Sequence, residues 1–204
     1  AIDLKANRTA AARKRLDDAV AGGAAKGGLQ GVAARLYSTA FNDTAAAEAA
    51  VQRALAADPN NLDAFALLAQ VYIRSNNLPA ATKKLEELAT RQPNSVSTQT
   101  SIGVLYTLQG KLDQAEASYK RALAIDPNAA VAANNLAQMY VDRNENLEAA
   151  LQYAQAARGR LPRSHEVADT LGWIYYKKGV APLAVSALKQ AVAADPANAV
   201  YLYH

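Results

Sequence analysis

Apolar residues fall along this chain on paired amphipathic stripes, and a proline separates one pair from the next. Pro59, Pro93, Pro127, Pro162 and Pro196 are spaced 34, 34, 35 and 34 residues apart. Between two of them, VSTQTSIGVLYTLQ leads through Gly110-Lys111 into LDQAEASYKRALAI, two helical stripes joined by a short turn. The apolar positions recur at three- and four-residue intervals, the period of a helix with one face in a core. Each proline ends the helix before it, because it can neither donate the next hydrogen bond nor fit the next turn. The Asn or Ser that follows predicts an N-cap for the next helix.

The turn inside each unit has its own signal. Gly110 and Gly179 stand where the first helix must stop, and glycine takes the left-handed conformation at little cost. Asn76 and Asn144 hold the equivalent places, and Asn tolerates that conformation better than most residues. Pro79 and Pro182 lie where second helices begin, a position that suits proline.

Several positions repeat in identity as well as in period. Leu68-Ala69, Ile102-Gly103, Leu136-Ala137 and Leu171-Gly172 form one series, followed at constant spacing by Tyr72, Tyr106, Tyr140 and Tyr175. Ala81, Ala115, Ala150 and Ala184 open the packed face of each second helix, and Leu85, Tyr119, Ala154 and Leu188 fill its bulky position. These units resemble tetratricopeptide repeats. The resemblance implies an all-α, right-handed α-solenoid of helix-turn-helix repeats with about twelve helical segments. Its expected organisation is a single array over 1–204: a second helix of a partial repeat at 7–22, a degenerate repeat at 25–61, repeats at 62–95, 96–129, 130–164 (with one inserted residue) and 165–198, and the start of a truncated repeat at 199–204. On this reading the chain is a piece of a longer array. Gly103 and Gly172 are expected to leave room for a packed helix, and the tyrosine series to be core.

The resemblance also implies that first helices line an inner groove. The inward stripe reads Asp63, Ala66, Gln70 and Ile73; Ser97, Thr100, Val104 and Thr107; Val131, Asn134, Gln138 and Val141; Glu166, Asp169, Trp173 and Tyr176. The peptide-binding candidates are Gln70, Thr100, Val104, Thr107, Asn134, Asn135, Gln138, Asp169, Trp173 and Tyr176. Amides and hydroxyls can satisfy the backbone of an extended peptide, and Trp and Tyr are frequent interface anchors. The plainer alternatives are solvated polarity for Asn134 and Gln138, and packing against the next first helix for Trp173. The stripe carries no Lys or Arg, so acidic chaperone tails, which related domains hold by a basic clamp, are not expected to bind.

Composition agrees with this picture. Apolar residues make up 51% of the chain and charged residues 20%, enough for a packed core. Alanine, the best helix former, is abundant, and the absence of cysteine removes disulfides and thiolate chemistry. The net charge of +4 is local: residues 1–36 hold seven Lys/Arg against three Asp/Glu, and the other 168 hold fifteen of each. The dense cluster Arg13-Lys14-Arg15 reads as a solvated helix face, with a phosphate or acidic-lipid contact as the alternative. No apolar run reaches the roughly 20 residues of a membrane span.

Phosphate-loop, dinucleotide, zinc-protease and nucleophile-elbow motifs do not occur in the sequence. Gly22-Gly23 and Gly27-Gly28 read as loop glycines. His165 is expected to be exposed, and neither it nor His204 has a partner constellation. The expectation is a non-enzyme without metal or cofactor, a scaffold for a protein or peptide ligand rather than for nucleic acid. The alternatives are a nucleic-acid-binding helical repeat and a regulatory segment of an enzyme. The stretch DTLGWIYYKKG with its following helix resembles repeats of bacterial envelope lipoproteins of exopolysaccharide and protein-sorting systems, which points toward the periplasm or cell envelope. Exposed apolar residues at Tyr201-Leu202-Tyr203 predict end-to-end pairing.

Overall fold

The computed structural model describes residues 9–21 and 27–204. Among these residues it has twelve helices and no strand: α1 Thr9–Ala21, α2 Gly27–Thr39, α3 Thr44–Ala57, α4 Leu62–Arg74, α5 Leu78–Arg91, α6 Val96–Leu108, α7 Leu112–Ile125, α8 Ala130–Asp142, α9 Leu147–Arg160, α10 His165–Lys177, α11 Ala181–Ala194 and α12 Ala199–Tyr203. The all-α class expected from the sequence is the class observed. None of the described helices is long and apolar enough to cross a membrane. The helix expected at 7–22 is seen as α1; residues 7, 8 and 22, and the pair Gly22-Gly23, lie outside the described residues. Gly27 and Gly28 are not loop residues, because α2 begins with them.

The helix ends follow the sequence signals. Asn61, Ser95, Ser164 and Asn198, each two residues past a periodic proline, accept a backbone N–H of the helix they open. Ala129 holds the same place before α8 and has no side chain to do so. Each such cap contributes about 1 kcal/mol. Gly110, Gly179, Asn76 and Asn144 all have positive φ, between 53° and 73°. The inserted residue makes the third of these turns longer: Asn146 is also left-handed, at φ 40°, and caps α9.

The helices group into two compact units, Ala1–Pro93 and Asn94–His204. In the N-terminal unit, α2 pairs with α3 and α4 with α5, while α1 packs on α2 and both α2 and α3 pack on α4. Its core is small-residue rich, with Ala33, Ala34, Ala47, Ala50 and Val51 fully buried around Tyr37, Leu67 and Leu68. In the C-terminal unit the hairpins are α6/α7, α8/α9 and α10/α11; α8 touches both α6 and α10, and α11 carries α12. Ala115, Ala122, Ala150, Ala154 and Ala157 let the second helices sit close against their partners, and Tyr119, Leu136 and Ile174 fill the space between.

Gly103 and Gly172 are required by close approach within one hairpin. A Cβ on Gly103 would lie 2.5 Å from Cε1 of Tyr119, and one on Gly172 would lie 2.5 Å from Cδ2 of Leu188. The helix that comes close is thus the second helix of the same repeat.

The tyrosines carry a second repeated device. The Tyr72 hydroxyl donates to Glu48 Oε1 at 2.5 Å and the Tyr140 hydroxyl to Glu116 Oε1 at 2.8 Å, each reaching back 24 residues to the second helix of the preceding hairpin. Tyr37 makes the corresponding bond to Asp17 at 2.6 Å. Burial and these carboxylates push the Tyr37 and Tyr72 phenols up to about 12. The basic cluster in α1 is engaged in the same network. Arg13 pairs with Asp43 at 2.8 Å, bonds Asp17 and lies over Tyr37 and Phe41, and Lys14 pairs with Asp18.

Candidate functional site

Within each unit the first helices of successive hairpins lie side by side, so residues one and two turns apart on each form the walls of a trough. In the C-terminal unit α6 and α8 enclose a cleft of about 360 Å³. Its apolar wall is Val104 and Leu108 of α6, Leu112 of α7 and Met139 of α8. Leu108 is 63% exposed and Val104 36%, and the hydrophobic effect gives neither a reason to face water without a partner. Thr107, Tyr119, Asn135, Gln138, Asp142 and Arg143 complete the lining.

The polar groups of the cleft are held in place. Thr107 Oγ1 bonds the Gly103 carbonyl at 3.0 Å and lies 3.1 Å from the Tyr119 hydroxyl, which also meets Asn135. Burial pushes the Tyr119 phenol up, with Thr107 and Asn135 opposing. Gln138 ties α8 to α10: its Oε1 accepts from Thr170 Oγ1 at 2.9 Å and its Nε2 donates to Asp142 Oδ1 at 2.7 Å. Asp142 is exposed at the rim, yet the protein around its carboxylate desolvates it and raises its pKa, while Gln138, His204, Lys177 and Trp173 pull it back.

Trp173 lies on α10, next to this rim. It stacks on Tyr176 (5.1 Å between centroids, 13° between planes) and on His204 (4.2 Å, 12°), with Tyr203 tilted against it at 6.2 Å. The Lys177 ammonium lies 4.6 Å from its centroid. Asp169, 4% exposed, holds His204 Nδ1 at 3.0 Å through both oxygens. Burial raises the Asp169 carboxyl and the histidine opposes the shift. His165 Nδ1 lies 2.8 Å from the Tyr201 hydroxyl. Both histidines join α10 to the α12 segment; His165, expected to be exposed, is half-buried, and Tyr201, read as an exposed end residue, is buried, while Leu202 and Tyr203 are exposed.

The sequence-derived candidates divide accordingly. Val104, Thr107, Asn135 and Gln138 come together in the cleft. Thr100 turns its hydroxyl onto the Val96 carbonyl at 2.8 Å. Asn134 is buried, with Oδ1 unpaired, and Asp169 is buried beneath His204, so neither is open to solvent. Trp173 is half-buried and packed against the next first helix, while its neighbour Tyr176 is 58% exposed. Gln70 is exposed in the N-terminal unit. Val141, read on the inward stripe, is fully buried in the core; Asp142, one residue on, faces the cleft in its place. Leu108, Met139 and Asp142 were not among the candidates. A stripe continued by one residue from Thr107 and by one turn from Gln138 would have reached Leu108 and Asp142.

A tetratricopeptide repeat family model matches residues 96–129, and a second matches residues 38–98. No curated protein matches the chain. Among solved structures it is similar to a Pseudomonas aeruginosa PilF structure, at 17% identity over 98% of this chain and 90% of that one, with a TM-score of 0.76. It is similar to a MamA structure at 21% identity, 82% and 90% coverage and a TM-score of 0.69. It is also similar to YrrB, described as a repeat protein with an unusual peptide-binding site, at 18% identity, 92% and 96% coverage and a TM-score of 0.66. At such identities the likeness is one of fold.

Proposed function

The chain is a tetratricopeptide repeat protein, and we propose that it is a non-catalytic interaction module whose α6/α8 cleft takes an extended segment of another protein. Proteins of this family generally act as interaction scaffolds. The observation that carries the reading is the cleft itself: exposed Val104 and Leu108 face Met139 across a floor of fixed hydroxyl and amide groups. An extended peptide needs both features, an apolar slot for a side chain and donors or acceptors for its backbone. The carboxylate of Asp142 at the rim repels phosphate, which favours a protein ligand over nucleic acid.

A photocrosslinking residue placed at Leu108, and separately at the exposed Lys189 of α11, tests this in extracts of the source organism. The expected result is one partner segment captured from Leu108 but not from Lys189, and lost when Val104→Asp is added. Capture of the same segment from Lys189 alone would exclude the cleft.

A further inference from the structure

Most of the carboxylates around the cleft have a basic partner among the described residues. Asp113 and Glu145 share Arg143, Glu148 pairs with Lys178 and Glu116 with Lys120, while the buried Asp169 is hydrogen-bonded to His204. Asp142 has no basic group within ion-pair distance among the described residues. Its hydrogen-bond donor is neutral, the Gln138 amide at 2.7 Å, and the Trp173 indole stands close by. Lys177, the nearest lysine on α10, is drawn over the Trp173 ring instead. The result is a carboxylate at the rim that the Gln138 amide holds in direction, with Lys177 and His204 acting on it only from a distance and no ion-paired cation among the described residues. It is set between an apolar slot and a stack of aromatic rings.

That arrangement is complementary to a cation more than to any other group. A neutral hydrogen-bond donor would find Asp142 Oδ1 already served, whereas a lysine or arginine adds a charge-assisted bond at little reorganisation cost. The exposed ring of Tyr176 in the adjoining stack gives the same cation a favourable face. Val104, Leu108 and Met139 ask for an aliphatic side chain at the neighbouring position.

We propose, resting on the reading of the cleft as the partner-binding surface, that its ligand is a basic-aliphatic segment: a Leu, Ile, Val or Met side chain enters the Val104–Leu108–Met139 slot, and an adjacent Lys or Arg meets Asp142 beside the Trp173–Tyr176 stack. The probe is a random decapeptide library displayed on phage and panned on the full chain. Enriched peptides are synthesised and titrated by fluorescence anisotropy against wild type, Asp142→Asn, Asp142→Glu and Leu108→Ser. Enrichment of a Lys or Arg beside an aliphatic residue is expected. Asp142→Asn should weaken these peptides about tenfold and flatten their salt dependence, while Asp142→Glu should retain most of the affinity. Replacing the basic residue of the peptide by norleucine should reproduce the Asp142→Asn loss on wild type. Peptides that respond to Leu108→Ser but not to Asp142→Asn would overturn the basic specificity and leave the cleft standing. Peptides indifferent to both changes, or no enrichment at all, would count against the cleft and the specificity together.

Discussion

Replacing Gly103 by alanine sets two effects of known sign against each other. In a helix interior the change alone would gain about 1 kcal/mol of propensity. Here the new Cβ would meet Cε1, Cδ1 and Cζ of Tyr119 at 2.5, 2.6 and 2.9 Å, where ordinary contact begins at 3.4 Å. The ring must therefore retreat by nearly 1 Å. It is 1% exposed and its hydroxyl is tied to Thr107 and Asn135, so the retreat overpacks α7 and strains a hydrogen bond. Overpacking costs roughly 1–3 kcal/mol, and the bond about 1 kcal/mol more. A net destabilisation of about 1–3 kcal/mol follows once the propensity gain is subtracted. Tyr119→Leu removes the three ring atoms that the new Cβ would meet, and the chain accommodates Ala69 opposite Leu85 at the equivalent place, although Leu188 stands too close to Gly172 for the same change there. Urea unfolding followed by circular dichroism on the four members of the cycle gives the coupling. Gly103→Ala should be neutral or stabilising in the Tyr119→Leu background, a coupling of about 2 kcal/mol between contacting residues. Equal effects in both backgrounds would refute the close-approach explanation.

Other outcomes follow from the same contacts. Tyr140→Phe removes the bond to Glu116 and should cost about 1.5–3 kcal/mol, the range for a hydrogen bond to a charged group, read in the same unfolding assay. The Tyr37 and Tyr72 phenols, raised to about 12, ionise in the unfolded chain near 10. Their contribution is complete below pH 10 and is lost as the pH climbs from 10 to 12, so thermal melts across that window should fall and tyrosinate absorbance should show a late-titrating fraction. At the acid end, the Ala46 N–H and Arg13 hold the Asp43 carboxyl below its usual range. Stability is therefore present above the ordinary carboxylate pKa and declines as the pH falls through the depressed value, a decline that Arg13→Ala should reduce in melts at low pH. Asn144→Val places a β-branched residue at φ 53° and should cost about 1–2 kcal/mol, whereas Asn144→Gly should be tolerated in the same melts.

Much of the fold is legible because its punctuation is chemical. Proline, the capping Asn or Ser two residues later, and the left-handed Gly or Asn each dictate a backbone state, so helix ends could be read from single residues. The cleft was only partly legible. Periodicity places a residue on a face to within one helical step, and that step separates buried Val141 from rim-facing Asp142. Asn134 and Asp169 look like groove residues by type and phase, but their depth depends on how closely α8 and α10 approach their neighbours, which the stripe does not encode. The tyrosine–carboxylate bonds are visible as a 24-residue offset once one partner is known, yet Tyr175 has Leu151 at that offset, so the pattern is not self-announcing. The histidine contacts needed α12 in place to be seen at all.

Met139 is the chain's sole methionine and lines the α6/α8 cleft. A chain labelled with carbon-13 at the methionine methyl therefore carries one resonance that reports on that cleft. Titration with the segment crosslinked from the partner should shift it with the same saturation curve as binding. A saturating ligand that leaves this resonance unmoved would contradict the account.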